Sequence, residues 1–143
     1  SRLKRLRTLK VEEDTITTPH QAKKLFSKQL KDMDREVFAM FCLDSKGHIT
    51  HYSEIHMGTL NQSLIHPREI FKVAILANSH AIILAHNHPS GDLTPSQNDI
   101  IATKELIKAG EIMKIDVLDH IIVGNDDLWS MRNKNSELFE VDR

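Results

Sequence analysis

Apolar residues in this chain alternate between helical spacing and contiguous runs, and capping or turn residues flank each switch. Thr18-Pro19-His20-Gln21 combines a capping hydroxyl, a proline where no amide proton is needed and a reciprocal Gln, predicting a helix from Pro19 to about Asp32. Ala22, Leu25, Phe26 and Leu30 supply its apolar face. Glu36 to Leu43 reads as a buried strand, Asp44-Ser45-Lys46-Gly47 as a hairpin turn, and His48 to Ile55 as the returning strand. Pro67 opens a second helix through Asn78, with Ile70, Phe71, Ala74 and Ile75 as its stripe and His66 at the N-cap. Ala81 to Ala85 has the length of a fully buried strand. After the loop Pro89-Ser90-Gly91-Asp92, a third helix is predicted with Thr94 as cap, Pro95 at its first position and Gln97 completing the capping box. It runs to Lys108-Ala109 with Gly110 as a left-handed stop, and Ile100, Ile101, Leu106 and Ile107 provide its apolar contact. Lys114 to Val123 reads as a strand, Gly124-Asn125-Asp126-Asp127 as a turn, Leu128 to Met131 as a last short strand, and 133–143 as a polar tail. The order predicts a single α/β domain, a mixed central sheet flanked by helices.

Composition narrows the class. A chain of 143 residues with 40% hydrophobic content suits one globular domain with its own core. No apolar stretch approaches a membrane span and no secretory signal is present, so a soluble cytoplasmic protein without a membrane partner is expected. The single cysteine, Cys42, lies between Phe41 and Leu43 and reads as an inert core thiol. The Asn-Gln-Ser triplet at 61–63 has no meaning as a glycosylation signal without secretion. With 19 basic and 20 acidic residues the net charge is −1, so no overall field favours nucleic acid. The exception is the first ten residues, where five basic side chains and three leucines precede Glu12, Glu13 and Asp14. Residues 1–17 read as a basic tail or linker remnant, and the missing initiating Met predicts a piece of something longer.

The chemistry gathers at 81–99. The strand delivers His86 and His88 to its own end, and two residues apart in extended chain their imidazoles point to one side. Ser96 and Asp99 are three apart on the next helix and share a face. Two imidazoles and a carboxylate are three ligands of the kind a catalytic zinc uses, with water in the fourth position, acidified to a pKa of about 7. A His-x-His pair also arises by chance among nine histidines, and Asp99 is an ordinary first-turn acid favoured by the helix dipole. The phasing of two elements with different periods favours the metal reading. His48, His51 and His56 have no such spacing with a carboxylate and read as surface residues. Asp119 and His120 are adjacent on a strand and face opposite ways, so His120 reads as structural or as a support behind the metal site.

The string His86-x-His88, seven residues, Ser96, two residues, Asp99 resembles the JAMM (JAB1/MPN+) metalloprotease motif. H-N-H-P-S-G-D-x-T-P-S-x-x-D is similar to the RadC family in particular, as are D-R-E-V-F at 34–38, G-T-L-N-Q-S-L-I-H-P-R-E-I-F-K at 58–72 and D-H-I-I-V-G at 119–124. The resemblance spans roughly residues 18–132 and implies a JAB/MPN-like, cytidine-deaminase-like fold. It implies one Zn2+ per chain held by His86, His88 and Asp99, with hydrolysis of a peptide or isopeptide bond in a peptide or protein substrate. JAMM enzymes place a glutamate at the start of the strand after the first helix, which makes Glu36 the general base and acid, with Glu54 as runner-up. Ser96 would donate to the oxyanion, Ser90 being a weaker candidate, and Asp92 reads as a turn residue. The resemblance puts Gly58, Thr59 and Ser63 beside the groove, and His66 reads as a loop-fixing residue. Two other classes are expected to fare less well. A DNA-repair factor or metal-dependent nuclease calls for a basic surface that the composition does not provide, and a non-catalytic MPN-like scaffold would have lost motif positions that are intact here.

Overall fold

The computed structural model describes residues 4–5, 15–30, 34–55 and 65–140. Most of the basic 1–17 stretch, residues 31–33 beyond the first helix, His56, Gly58, Thr59, Ser63 with the rest of the 61–63 triplet, and 141–143 lie outside the described residues. Among the described residues the strands are β1 (Lys4–Arg5), β2 (Phe38–Leu43), β3 (Ile49–Ile55), β4 (Ala81–Asn87), β5 (Asp116–Val123) and β6 (Leu128–Ser130). The helices are α1 (Pro19–Gln29), α2 (Pro67–Leu76), α3 (Gln97–Met113) and α4 (Met131–Lys134), followed by a 3-10 turn at Ser136–Phe139. The strands form one mixed sheet in the order β1-β3-β2-β4-β5-β6, an α/β fold of the JAB/MPN kind. Only β4 and β5 run parallel, joined by α3 as the crossover helix that parallel pairing requires.

Period-two alternation divides each central strand between two cores. Phe38, Met40 and Cys42 of β2, with Ile82 and Leu84 of β4, pack beneath α2 and α3 against Ile70, Phe71, Leu106 and Ile107. Ala39, Phe41 and Leu43, with Ala81, Ile83 and Ala85, pack on the other face against Ala22, Leu25 and Phe26 of α1. The β4–β5 register slips between Ile82 and Ile83, which pair with Val117 and Asp119, so Leu118 is an extra residue in β5. At the hairpin, Asp44 Oδ1 accepts from the Lys46 and His48 amides and Gly47 takes the positive φ of 81° that the turn requires.

Several boundaries differ from expectation, each for a local reason. Helix α1 keeps its Thr18 capping box but ends at Gln29, before Asp32, because Leu30 turns extended. Strand β2 begins at Phe38, leaving Glu36 ahead of it, and β4 continues past Ala85 through Asn87. Helix α3 starts at Gln97, not Pro95. Ser96 is the cap and Asp99 closes the box, while the Thr94 amide donates to Asp92 Oδ1. Its stop is Lys114, at φ 59°, not Gly110. Met131 opens α4 in place of ending a strand, and 133–140 is no loose tail: Leu138 and Phe139 pack on the α2/α3 core. Ile75 and Ile101 are 53% and 48% exposed, so Val73 and Ala102 take the buried positions on their helices.

Gly110 instead lets the chain fold back tightly. A Cβ there would stand 2.4 Å from the Ile115 carbonyl oxygen, whose own amide bonds back to Gly110. Gly110→Ala should gain about 1 kcal/mol of helix propensity, yet lose more to the forced backbone shift, for a net destabilisation of about 1–3 kcal/mol in urea denaturation. A variant as stable as the parent or more so would refute the close-packing account.

Candidate metal centre

The centre forms where β4 ends and α3 begins, at the carboxyl edge of the parallel pair, with the positive pole of α3 beside it. His86 is the sixth residue of β4 and shares the α2/α3 face with Ile82 and Leu84; Phe38 stacks on its ring at 5.6 Å and 19°. His88 stands one residue past the strand, its amide still bonded to the Val123 carbonyl. Its Nδ1 lies 2.6 Å from the Asp92 carbonyl oxygen, which only accepts, so Nδ1 carries a proton and Nε2 turns inward. The two Nε2 atoms are 2.9 Å apart.

Asp99 enters from the first turn of α3. Its Oδ2 accepts the Ser96 amide at 2.9 Å and lies 3.8 Å from both His86 Nε2 and His88 Nε2. The Ser96 hydroxyl oxygen accepts the Asp99 amide at 3.0 Å, so its own proton is free to be donated to a third group. Glu36 reaches the same space from the segment before β2; its carboxylate and the two imidazoles offer ligand atoms all within 4.8 Å of one another. Glu36, His86 and His88 thus converge as one group, whereas Asp99, expected as the third ligand, approaches the two imidazoles at 3.8 Å and is not part of that group. Glu54 is on β3, one strand further out, with Oε2 accepting from the Tyr52 hydroxyl. Ser90 and Asp92 are exposed loop residues, His66 is an exposed N-cap making no side-chain cap bond, and His48 pairs with Asp44 across the hairpin. Cys42 is fully buried, and burial pushes its thiol pKa up, as an inert core residue requires.

Asn87, between the two histidines, was not singled out in the sequence. Its Oδ1 accepts the Val37 amide at 2.7 Å and its Nδ2 donates to the Arg35 carbonyl at 2.9 Å, so one buried amide grips the backbone on both sides of Glu36. The available signal was a primary amide just past the apolar run Ala81 to Ala85, because a buried amide must find partners. His120, the suspected support, does lie behind His86: its Nε2 is 2.8 Å from His86 Nδ1. Asp119 faces the other side and accepts from Ser130 Oγ and the Arg132 amide.

Burial dominates the electrostatics of these rings. It lowers the His86 pKa to about 4, with the Asp99 carboxylate opposing and His88 adding to the effect. Burial, then His86 and His88, hold His120 well below the ordinary histidine range. The neutral imidazole that results is the form that ligates a metal. Two ring nitrogens 2.9 Å apart and the Glu36 carboxylate form a donor set that fits a small divalent cation, with the Asp99 carboxylate 3.8 Å from both nitrogens.

Comparison with known proteins agrees with this geometry. The family model described as RadC-like JAB domain matches residues 16–136. The chain is 50% identical over 119 residues to a UPF0758 protein of Desulforamulus reducens, covering 83% of this chain and 52% of the relative. It is 48% identical over 117 residues to one from Pelobacter propionicus (82% and 51%) and 42% identical over 132 residues to one from Moorella thermoacetica (92% and 58%). The chain therefore spans about half the length of the curated relatives it matches. On the family match, the shared sequence and the convergence of Glu36, His86 and His88, this chain belongs to the RadC-like JAB domain family.

Proposed function

We propose that this domain is a zinc-dependent hydrolase that cleaves a peptide or isopeptide bond in a protein substrate. One observation carries the reading: two imidazoles, backed on their far nitrogens, turn their remaining nitrogens toward each other and toward Asp99, with the Glu36 carboxylate within 4.8 Å. His86, His88 and Asp99 would hold the ion. A divalent cation there supplies Lewis acidity, polarising the scissile carbonyl and lowering the pKa of water to about 7.

The chain's own groups do the rest. Glu36, exposed at the mouth, takes the proton of the attacking water as the carbon–oxygen bond forms, then returns it to the nitrogen as the carbon–nitrogen bond breaks. Its freedom to approach substrate is set by the backbone on either side, which Asn87 holds. Ser96 donates its hydroxyl proton to the developing oxyanion while its oxygen remains bonded to the Asp99 amide. Among the described residues no helix is long and apolar enough to cross a membrane.

Purified protein is expected to carry about one zinc per chain, and His88→Ala almost none, by elemental analysis; equal metal in both would sink the assignment. Glu36→Gln should keep its metal but lose about 100-fold or more in cleavage rate across a panel of peptide and isopeptide substrates. Wild-type rates in that variant would remove Glu36 from the mechanism.

A pH dependence follows with a definite sign. In metal-free protein His86 titrates near 4 when folded and near its ordinary 6.5 when unfolded. The unfolded chain therefore gains protons first as pH falls, and stability present above pH 6.5 is lost progressively toward pH 4. The loss should reach a few kcal/mol, with His120 shifting in the same direction. Thermal melts of chelator-treated protein at pH 7 and pH 5 check this; a midpoint that does not fall would mean that these rings are not held neutral.

A further inference from the structure

Behind His86 a chain of hydrogen bonds crosses the α2/α3 side of the sheet and returns to the helix that carries Asp99. His86 Nδ1 is 2.8 Å from His120 Nε2, His120 Nδ1 is 2.6 Å from Thr103 Oγ1, and that hydroxyl is 2.7 Å from the Asp99 carbonyl oxygen. All three side chains are buried, His86 and His120 at 2% exposure and Thr103 at 0%.

The direction of the chain is fixed from its far end. A carbonyl oxygen only accepts, so the Thr103 proton points to Asp99, and Thr103 Oγ1 accepts from His120 Nδ1–H. A neutral imidazole has one proton, so His120 Nε2 is bare and accepts from His86 Nδ1–H. That leaves His86 Nε2 as a lone pair, and it is this atom that faces His88 and Asp99. A second proton on either ring would put a charge among the apolar groups packed there, including Phe38, which lies edge-on to His120 at 5.4 Å. Threonine back-bonding to the carbonyl four residues earlier is common in helices. What is unusual here is that a buried histidine uses the same oxygen.

We propose that Thr103 and His120 are positioning residues that lock His86 in its Nδ1–H tautomer and so present a permanent lone pair at the metal centre. Because the chain terminates on a carbonyl, it is an orienting strut and conducts no proton to or from the site. The strut also ties β4 through β5 to the main chain of Asp99, so one network sets the approach of two of the ligand-bearing residues. Only the identity of what the lone pair binds rests on the metal reading above; the tautomer belongs to the metal-free chain.

The test is long-range 15N NMR of the histidine rings in the metal-free 143-residue chain, paired with zinc affinity from competition with a chromophoric chelator. Wild type should show His86 protonated at Nδ1 and bare at Nε2. Thr103→Val keeps the shape but removes the acceptor, so His120 should move its proton to Nε2 and drive the His86 proton onto its own Nε2, weakening zinc binding by about 10- to 100-fold. Thr103→Ser should restore both the wild-type spectrum and the affinity. A wild-type His86 that carries its proton on Nε2 overturns the proposal whether or not any variant folds, as does a Thr103→Val protein with wild-type tautomer and affinity. Wild-type protein with the expected tautomer but no zinc uptake would refute the metal reading and leave the strut standing.

Discussion

The whole site depends on one extra residue in β5. Before the bulge Ile82 pairs with Val117, and after it Ile83 pairs with Asp119, so the register advances by one at Leu118. Because side chains alternate across a sheet, a one-residue slip exchanges the faces of everything that follows. Had the pairing continued without it, Asp119 would share the face of His86 and a buried carboxylate would sit behind the ring. With the bulge, His120 occupies that place, and Asp119 turns to Ser130 and α4. The same parallel pairing obliges the chain to cross over, which brings the first turn of α3 to the end of β4.

The centre has a dry back and a wet front, and the two halves do different work. At the back, Phe38 and the apolar faces of β4 and β5 hold His86 and His120 neutral. At the front, Glu36 and Ser96 are exposed, open to solvent and to any group that approaches the centre. His88 lies between these regimes, partly exposed, its ring steered by the Asp92 carbonyl of a solvent-facing loop. Enclosure thus sets the protonation of the rear rings, and access is left to the side chains in front.

Much of this was legible in the chain itself. Contiguous apolar runs announced β2 and β4, and the pairing of capping hydroxyl, proline and Gln announced α1, because these patterns depend on neighbours in sequence alone. Helix α3 was misread at both ends where two local signals competed. Thr94-Pro95 and Ser96-Asp99 each offer a cap, and the shorter Asp side chain closed its box with Ser96 while Asp92 engaged Thr94. Gly110 looks like a stop because glycine tolerates a left-handed turn, whereas its use is close approach to the returning chain at Ile115 and to Val117 and Phe71, which the fold brings there. Likewise His86, His88 and Asp99 could be grouped by spacing, but the bulge at Leu118, the reach of Asn87 and the link through Thr103 are long-range outcomes.

Asn87 makes the placement of Glu36 depend on one primary amide. One planar group satisfies a donor at residue 37 and an acceptor at residue 35, so the segment bearing Glu36 is tied to the core by a single side chain. An acid in place of that amide would set a second oxygen against the Arg35 carbonyl, and the segment would be pushed off its mooring although Glu36 itself is unchanged.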